Sequence, residues 1–479
     1  MAEKPQGISE DWLSLIIGLF VFLLGLGVFV GVDFLGWGIK TNVWLDIGQA
    51  LTPVSGAIKG LPGITSLCLT YFFLLFLTQV GAAALGVPTG RFMLGFTLVF
   101  WISYGCWLCG HFAYIAATPD TLKKFGIGWA LNLTGEAGFV VALIVGLIIG
   151  NFFPKFAGLM TEAARPELYI KTAIVILGAA LGVKAAEAVG LASAVFFRGL
   201  CAIVEAYLIY WAVVYFVARK YFKFSREWAA PLASGISICG VSAAIATGAA
   251  IRARPVVPIM VSSLVVIFAV VELLILPFIA QAIAWREPMV AGAWMGLAVK
   301  TDGAAVASGA VVDALIRAKN LNVLGINYTP GWMIMTATTV KIFIDVFIGV
   351  WAFILAVIWC SKIECVGGRI SAVEIWNRFP KFVIGYVITF IIMFFVAWGA
   401  PGAIATAKAA VGGMDTFRVM FFVFTFFTIG VISNFKKLWE EGIGRLAAVY
   451  ILCLFGFIIW FGLLISWIFF HGIKPPLAG

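Results

Sequence analysis

The stretch 234–248, SGISICGVSAAIATG, places three glycines, three serines, a threonine and a cysteine inside a chain of long apolar runs. In hydrocarbon, every backbone N–H and C=O needs a partner, so a helix is interrupted only where protein or water lines the gap. Gly235 and Gly240 relax the backbone here, and Ser237 and Ser242 offer hydroxyl groups. The stretch therefore predicts a broken membrane helix rather than a continuous one.

Such a break has a chemical consequence. A half-helix that starts near Val241 presents free N–H groups and the positive end of its dipole, which is an anion site in outline. Close helix packing through small residues is the alternative interpretation. A second apolar segment with polar groups, GLAVKTDGAAVASG at 296–309, favours the site. The predicted substrate-binding residues are Ser237, Cys239, Gly240, Val241, Ser242, Lys300, Thr301, Asp302, Gly303 and Ser308.

The composition sets the class of protein. Hydrophobic residues make up 63% of the 479 positions and charged residues 11%, against about 25% charged in soluble domains. The net charge of +10 is typical of loops that set membrane topology, so we expect no nucleic-acid partner. The cysteines lie mostly in apolar runs and indicate packing rather than disulfides. Two histidines are too few for a histidine-based metal site, and we expect no metal and no cofactor.

The apolar runs predict an all-α polytopic membrane protein. A spanning helix needs about 20 apolar residues. Two further segments, 228–251 and 289–313, are apolar but rich in Gly, Ser and Ala. The count is eleven spans plus two re-entrant hairpins, or thirteen spans if both segments cross. The eleven runs are 12–37, 64–86, 92–116, 134–152, 168–183, 194–218, 256–284, 331–360, 380–399, 417–434 and 445–470.

The basic loops predict the orientation. With a cytoplasmic N-terminus, the Lys/Arg-bearing loops 219–227, 361–381 and 434–445 fall inside, as the positive-inside rule requires. The hairpin alternative also keeps Arg252 and Arg254 inside, so charge favours it slightly. In both alternatives the C-terminus lies outside. We expect a multi-pass protein of a bacterial-type inner membrane.

An internal repeat links the two weak segments. SAAIATGAAI at 242–251 and GAAVASGAVV at 303–312 agree in pattern at nearly every place. ILGAALGVKAAEAVG at 176–190 and TIGVISNFKKLWEEGIG at 428–444 form a second pair. Composition alone is the other explanation. Inverted repeats are common in secondary transporters, and they predict a first repeat region (131–285) and a second (286–479). Residues 1–130, with three spans, are predicted to be an N-terminal addition.

Several motifs carry a family resemblance. TAIVILGAALG, ASGISICGVSAAIA, AGAWMGLAV, TATTVK and RFPKFVIGY occur in this order, and the chain over about 134–470 resembles the YeiH-like putative sulfate exporter family. The resemblance implies a place in the cation–proton antiporter and anion transporter superfamily, with inverted repeats, discontinuous helices and rocking or elevator motion. A His-Asp pair, as in SIHD, is typical of that family. This chain has AVKTD instead, with Lys300 at the histidine position, which puts histidine-dependent proton coupling in doubt.

Charged residues at membrane depth need a reason, because each costs about 2.5–3.5 kcal/mol on insertion scales. Glu272 lies in the middle of one span and Glu205 in another. Lys341 and Asp345 are four residues apart, on one helix face, and are predicted to pair. Together with Glu272 they are candidates for ion coupling or for structural ion pairs.

The sequence supports two transport hypotheses. The first is a secondary active transporter of a small anion, sulfate or a related oxyanion or sulfonate, working by alternating access. The second is a cation–proton antiporter that uses Asp302 or Glu272. An enzyme is disfavoured because no nucleophile–base set and no phosphate loop is present. The expected partners are the lipid bilayer and a small anionic substrate, while a coupling proton or sodium ion and a homodimer stay open.

Overall fold

The computed structural model describes residues 8–478 except 57, 59, 118–120, 132–134, 136, 188, 255, 363–379, 400–401 and 434–443. Within these ranges the chain is mainly helical, with one short antiparallel pair of strands, β1 (Ile39–Thr41) and β2 (Leu51–Pro53). The prediction of a polytopic helical membrane protein is confirmed. Two compact units are built from non-consecutive stretches of chain.

The first unit comprises 1–190, 321–325 and 381–433. Its helices are α1 (Glu10–Gly25), α2 (Gly63–Ala84), α3 (Thr89–Gly110), α4 (Ala113–Ala116), α5 (Leu122–Phe125), α6 (Ala137–Phe152), α7 (Pro154–Leu159), α8 (Pro166–Glu187), α19 (Lys381–Trp398) and α20 (Ala403–Ile432).

The second unit comprises 191–320, 326–380 and 434–479. Its helices are α9 (Val189–Gly199, which starts at the border), α10 (Cys201–Val204), α11 (Trp211–Lys220), α12 (Arg226–Ser237), α13 (Val241–Ala250), α14 (Val256–Ile283), α15 (Pro288–Ala298), α16 (Asp302–Leu324, which ends at the border), α17 (Trp332–Val346), α18 (Ile348–Lys362), α21 (Gly444–Cys453) and α22 (Ile459–Phe470). Two π-helices, Glu205–Tyr210 and Leu454–Ile458, join α10 to α11 and α21 to α22.

In the described residues, ten helical segments are long and apolar enough to cross a membrane. Each overlaps one of the predicted apolar runs. The run predicted at 134–152 forms the shorter helix α6, of 16 residues. The apolar pattern therefore indicates where the long helices lie, while the number of helices that cross the bilayer stays a prediction.

Glycines bring helices of the first unit into close contact. A Cβ atom at Gly146 of α6 would lie 2.2 Å from the carbonyl oxygen of Phe427, and one at Gly430 of α20 would lie 2.5 Å from that of Leu143. Small residues at such crossings let helix backbones approach in membranes. The first span belongs to the same unit, since Lys171 of α8 donates to Asp11 of α1 at 2.8 Å. The division into an N-terminal addition and two repeat regions is a different one, and it stays a prediction.

Candidate functional site at two helix interruptions

The first weak segment is a helical hairpin, which we call the first hairpin (α12 and α13). Its helices are separated by residues 238–240, inside the predicted 234–248. Glu227, in the first turn of α12, accepts bonds from the backbone and side chain of Arg254, just beyond α13, at 2.8–3.3 Å. The two ends of the hairpin therefore lie together. The bonds from Arg254 also hold the pKa of the exposed Glu227 carboxyl below its ordinary value.

The second weak segment forms the second hairpin (α15 and α16), interrupted at residues 299–301. Gly292 of α15 lies against Met333 of α17, while Asp313 of α16 accepts from the Met333 N–H at 3.1 Å. Four residues farther along both α15 and α17, Gly296 lies against Ala337. Gly309 of α16, which precedes Asp313, lies against the same Ala337. One arm thus runs parallel to α17 and the other antiparallel to it, so the chain reverses at 299–301.

The local sequence explains both interruptions. Gly240 has φ +73°, a left-handed backbone that side chains disfavour, and its carbonyl accepts the Ala244 N–H at 3.0 Å to start α13. At the other interruption Thr301 is the N-cap: its hydroxyl oxygen accepts the Ala304 N–H at 3.2 Å. Both helices that follow therefore begin immediately after a capping residue, α13 at Val241 and α16 at Asp302.

The two interruptions meet. A Cβ atom at Gly240 would lie 3.2 Å from the Thr301 side chain and 3.3 Å from the carbonyl oxygen of Lys300. Lys341 of α17 joins the two tips, since its Nζ donates to the carbonyls of Ile238 at 2.8 Å, Lys300 at 3.2 Å and Val299 at 3.4 Å. These carbonyls are the ones that the broken helices leave without intrahelical partners. Lys341 is thereby the link between the hairpin tips.

Carboxylates and a thiol lie beside this link. The Nζ of Lys341 is 3.9 Å from Oδ1 of Asp302, and both side chains are buried. One ligand-type atom from each of Cys239, Asp302 and Asp345 lies within 4.8 Å of the other two; we call these three residues the carboxylate cluster. Asp302 and Asp345 bring two acidic groups and Lys341 one basic group, an arrangement that can hold a proton or a small cation. The sequence predicted no metal site, and it did not indicate that the three residues of the carboxylate cluster lie together.

Two predicted serines are buried, one in each hairpin. Ser237 is the last residue of α12 and Ser308 lies in the second turn of α16, and neither is solvent-exposed. Neither hydroxyl has a hydrogen-bond partner among the described residues. Gly303 follows Asp302 in the first turn of α16. Ser242 lies in α13, but its side chain falls outside the described residues.

Lys300 has a different environment from the one expected. It is fully buried; its Nζ donates to the carbonyl of Leu297 and lies 4.7 Å above the ring of Tyr210. Its backbone N–H donates to Oε2 of Glu272 at 2.9 Å, and Tyr450 donates to the other Glu272 oxygen at 3.4 Å. Lys300 is thus at the second tip, as predicted, but its charge lies beside Tyr210.

Comparisons with known proteins identify the family. The family model described as "Conserved hypothetical protein 698" matches residues 128–449. A UPF0324 membrane protein of Nitrosomonas europaea is 42% identical over 98% of this chain and 97% of that relative. An uncharacterized protein of Archaeoglobus fulgidus is 50% identical over 34% of this chain and 97% of its own length. A UPF0324 membrane protein of Nitratidesulfovibrio vulgaris is 29% identical over 83% of this chain and 63% of that relative. No solved structure matches. The chain therefore belongs to the UPF0324 family of membrane proteins.

Proposed function

We propose that this protein is a secondary active transporter of a small anion, sulfate or a related oxyanion or sulfonate, and not an enzyme. It works in the inner membrane by alternating access between the two sides. The resemblance to the YeiH-like putative sulfate exporter family supports the substrate class. Membership of a family of multi-pass membrane proteins agrees with transport.

The course of α14 supports two hairpins that enter from opposite sides. α14 has 28 residues and is about 42 Å long, enough to cross a hydrocarbon core of about 30 Å. The ends of the first hairpin adjoin the start of α14, at Arg254. Those of the second adjoin its end, where Lys319 of α16 donates to the carbonyl of Gln281 at 2.9 Å. α12 is about 18 Å long and α15 about 17 Å, so both tips reach about half the depth of the bilayer.

The helices that follow the tips support an inverted repeat. The similar sequences 242–251 and 303–312 begin at the second residue of α13 and of α16, respectively. The matching position of the two sequences relative to the interruptions is what a duplicated unit produces. In transporters built from inverted repeats, substrate binds at the repeat interface near the middle of the membrane.

The meeting of the two tips carries the proposal. It brings the amino ends of α13 and α16 together, and each helix end has a partial positive charge of about half a unit. The hydroxyls of Ser237 and Ser308, which have no hydrogen-bond partner among the described residues, lie in the two hairpins, and so does Lys300. The ammonium group of Lys341 lies on α17 and joins the two tips. These groups are suited to an oxyanion, which needs several donors once its water is removed.

The carboxylate cluster favours one second candidate, a cation–proton antiporter. Cys239, Asp302 and Asp345 offer three ligand atoms within 4.8 Å, and Lys341 is close enough to compete with a cation for Asp302. Binding of a cation at Asp302 would displace the ammonium group of Lys341, which would then release its proton to water, so that the cation is exchanged for a proton.

A flux assay decides between the two. The purified protein is reconstituted in liposomes, and uptake of labelled sulfate, sulfite, a sulfonate and a carboxylate is compared with that of empty liposomes. The same vesicles are tested for exchange of sodium or potassium against protons with no sulfur anion present. We expect saturable sulfate or sulfonate flux that unlabelled substrate suppresses. Cation–proton exchange without any anion flux would replace the first proposal with the second.

A further inference from the structure

A second polar group in the same unit adjoins the hairpin tips and shares Lys300 with them. We call Glu205, Tyr210, Lys300, Glu272 and Tyr450 the Glu205 cluster. Glu205 starts the π-helix Glu205–Tyr210 and is 1% exposed. π-helices widen a helix locally and are frequent at functional sites. The second π-helix, Leu454–Ile458, ends beside Tyr210, so two widened segments of the unit face each other at this hydroxyl.

The Tyr210 hydroxyl has two acceptors for one proton. One is Oε1 of Glu205, and the other is the carbonyl oxygen of Ile458 at 3.0 Å. When Glu205 is ionised, Tyr210 donates to it. When Glu205 is protonated, the carboxyl donates to the Tyr210 oxygen, and Tyr210 turns its own proton to Ile458. The geometry therefore provides hydrogen bonds for both protonation states of Glu205.

The second oxygen of the carboxyl group is available for a proton. Oε2 of Glu205 is buried and has no hydrogen-bond partner among the described residues. An ionised carboxylate at membrane depth is costly, so an oxygen without a donor favours taking up a proton.

Lys300 connects this acid to the hairpin tips. Its Nζ lies 4.7 Å above the Tyr210 ring, and its charge therefore acts on the Glu205–Tyr210 pair. Its backbone carbonyl accepts from Lys341 at 3.2 Å, the residue that joins the tips. The titratable groups that face Glu205 are Tyr210, Cys201 and Lys300; those that face Lys300 are Glu205, Glu272 and Lys341, and Tyr450 faces Glu272.

We propose that Glu205, with Tyr210 and Lys300, is the proton-binding site that couples proton movement to transport at the hairpin tips. In each cycle an O–H bond forms on Glu205 with a proton taken from water on one side, and the proton returns to water on the other. Protonation removes the negative charge near Lys300 and so changes the balance of charge at the second tip. This inference rests on the proposed anion transport.

The test separates coupling from transport. In liposomes containing wild-type protein, we expect a proton gradient to drive accumulation of labelled sulfate, and sulfate–sulfate exchange to proceed at equal pH. Glu205→Gln mimics the protonated carboxyl, so we expect exchange to persist, to lose its dependence on pH, and gradient-driven accumulation to disappear. Glu205→Asp keeps a carboxyl group and should restore part of the accumulation. Glu187→Gln, which changes an acid of the first unit, should behave as wild type.

A measurement without substrate tests the site itself. Infrared difference spectra of the full-length protein after acidification should contain a carboxylic acid C=O band that is absent in Glu205→Gln, present in Glu187→Gln and shifted in Tyr210→Phe. Absence of sulfate exchange in wild type would refute the sulfate proposal but leave this band to be found. Proton-driven accumulation in Glu205→Gln, or an unchanged band, would overturn the inference. If Glu205→Gln does not fold, Tyr210→Phe decides the matter, and an unshifted band counts against the site.

Discussion

The two hairpins reach the same point with different chemistry. The tip of the first is formed by backbone: Gly240 has a left-handed conformation and Ile238 offers a carbonyl to Lys341. The tip of the second carries the charged side chains of Lys300 and Asp302, and Thr301 caps its second helix with a hydroxyl. The first tip thus accepts a close neighbour, and the second brings charge.

Lys341 and Gly240 contribute to the contact between the tips in different ways. Lys341 is needed because three carbonyls and one carboxylate converge on its ammonium group. Gly240 is needed because no side chain fits between Val265 and the second tip. At the tip of the second hairpin, charged groups contribute most to the contact, and at the tip of the first hairpin, close packing contributes most. The predictions that follow separate the two contributions.

The largest effect is expected for Lys341→Met. It removes the ammonium group 3.9 Å from Asp302 and the hydrogen bonds to both tips. Removing one partner of a buried ion pair costs about 3–5 kcal/mol. We expect a lower melting temperature in detergent and no transport. The measurement is thermal unfolding of the purified variant together with sulfate flux.

Two further variants make the Lys341 prediction specific. Lys319→Met removes a lysine that donates to one carbonyl, that of Gln281, and should lower stability by about 1 kcal/mol. Combining Lys341→Met with Asp302→Asn removes both charges and should recover part of the lost stability, since replacing a whole buried pair is often close to neutral. A double variant that is as unstable as the sum of the two single variants would argue against the pair.

Gly240→Ala tests the first tip. Left-handed backbone costs a residue with a Cβ about 1–2 kcal/mol, and the added atom would lie 2.6 Å from Val265 Cγ1, so a further 1–3 kcal/mol is expected from overpacking. The control is Gly325→Ala, whose φ of +67° is similar and whose Cβ would meet nothing within 4 Å. Thermal unfolding should therefore show a larger loss for Gly240→Ala, with reduced flux. Equal losses would mean that the tips tolerate a side chain at their contact.

Lys300→Gln tests the charge of the second tip. A charge-assisted hydrogen bond contributes about 1.5–3 kcal/mol, so the apparent dissociation constant for sulfate should rise roughly ten- to a hundredfold. Lys300→Arg keeps the charge in a wider, planar group and should weaken binding less. Calorimetry with sulfate on the purified variants is the measurement. Unchanged affinity in Lys300→Gln would exclude Lys300 from substrate binding and leave it in the Glu205 cluster alone.

The sequence located both tips but not their neighbours. Small and polar residues inside apolar runs indicated where a helix would break, because hydrocarbon tolerates such breaks only in protein-lined places. Spacing along one helix suggested Lys341 with Asp345, whereas the structure places Lys341 against Ile238 and Asp302, both distant in sequence. Glu205 was visible as an isolated acid in an apolar run, but its relation to Tyr210 depends on a π-helix that no residue pattern marks. Contacts between segments follow from tertiary packing, which periodicity does not encode.

Arg254→Cys should have the smallest effect on function and gives the sharpest test of the two hairpins' orientation. Arg254 is exposed, and an exposed ion pair such as the one with Glu227 contributes little to stability, so the variant should stay active. In a cysteine-free background we expect Arg254→Cys to be protected from an impermeant thiol reagent added outside cells, because both ends of the first hairpin face the cytoplasm. Arg286→Cys, at the start of the second hairpin, should be labelled from outside. Labelling of both positions from the same side would contradict hairpins that enter from opposite sides, and it would also contradict the inverted repeat.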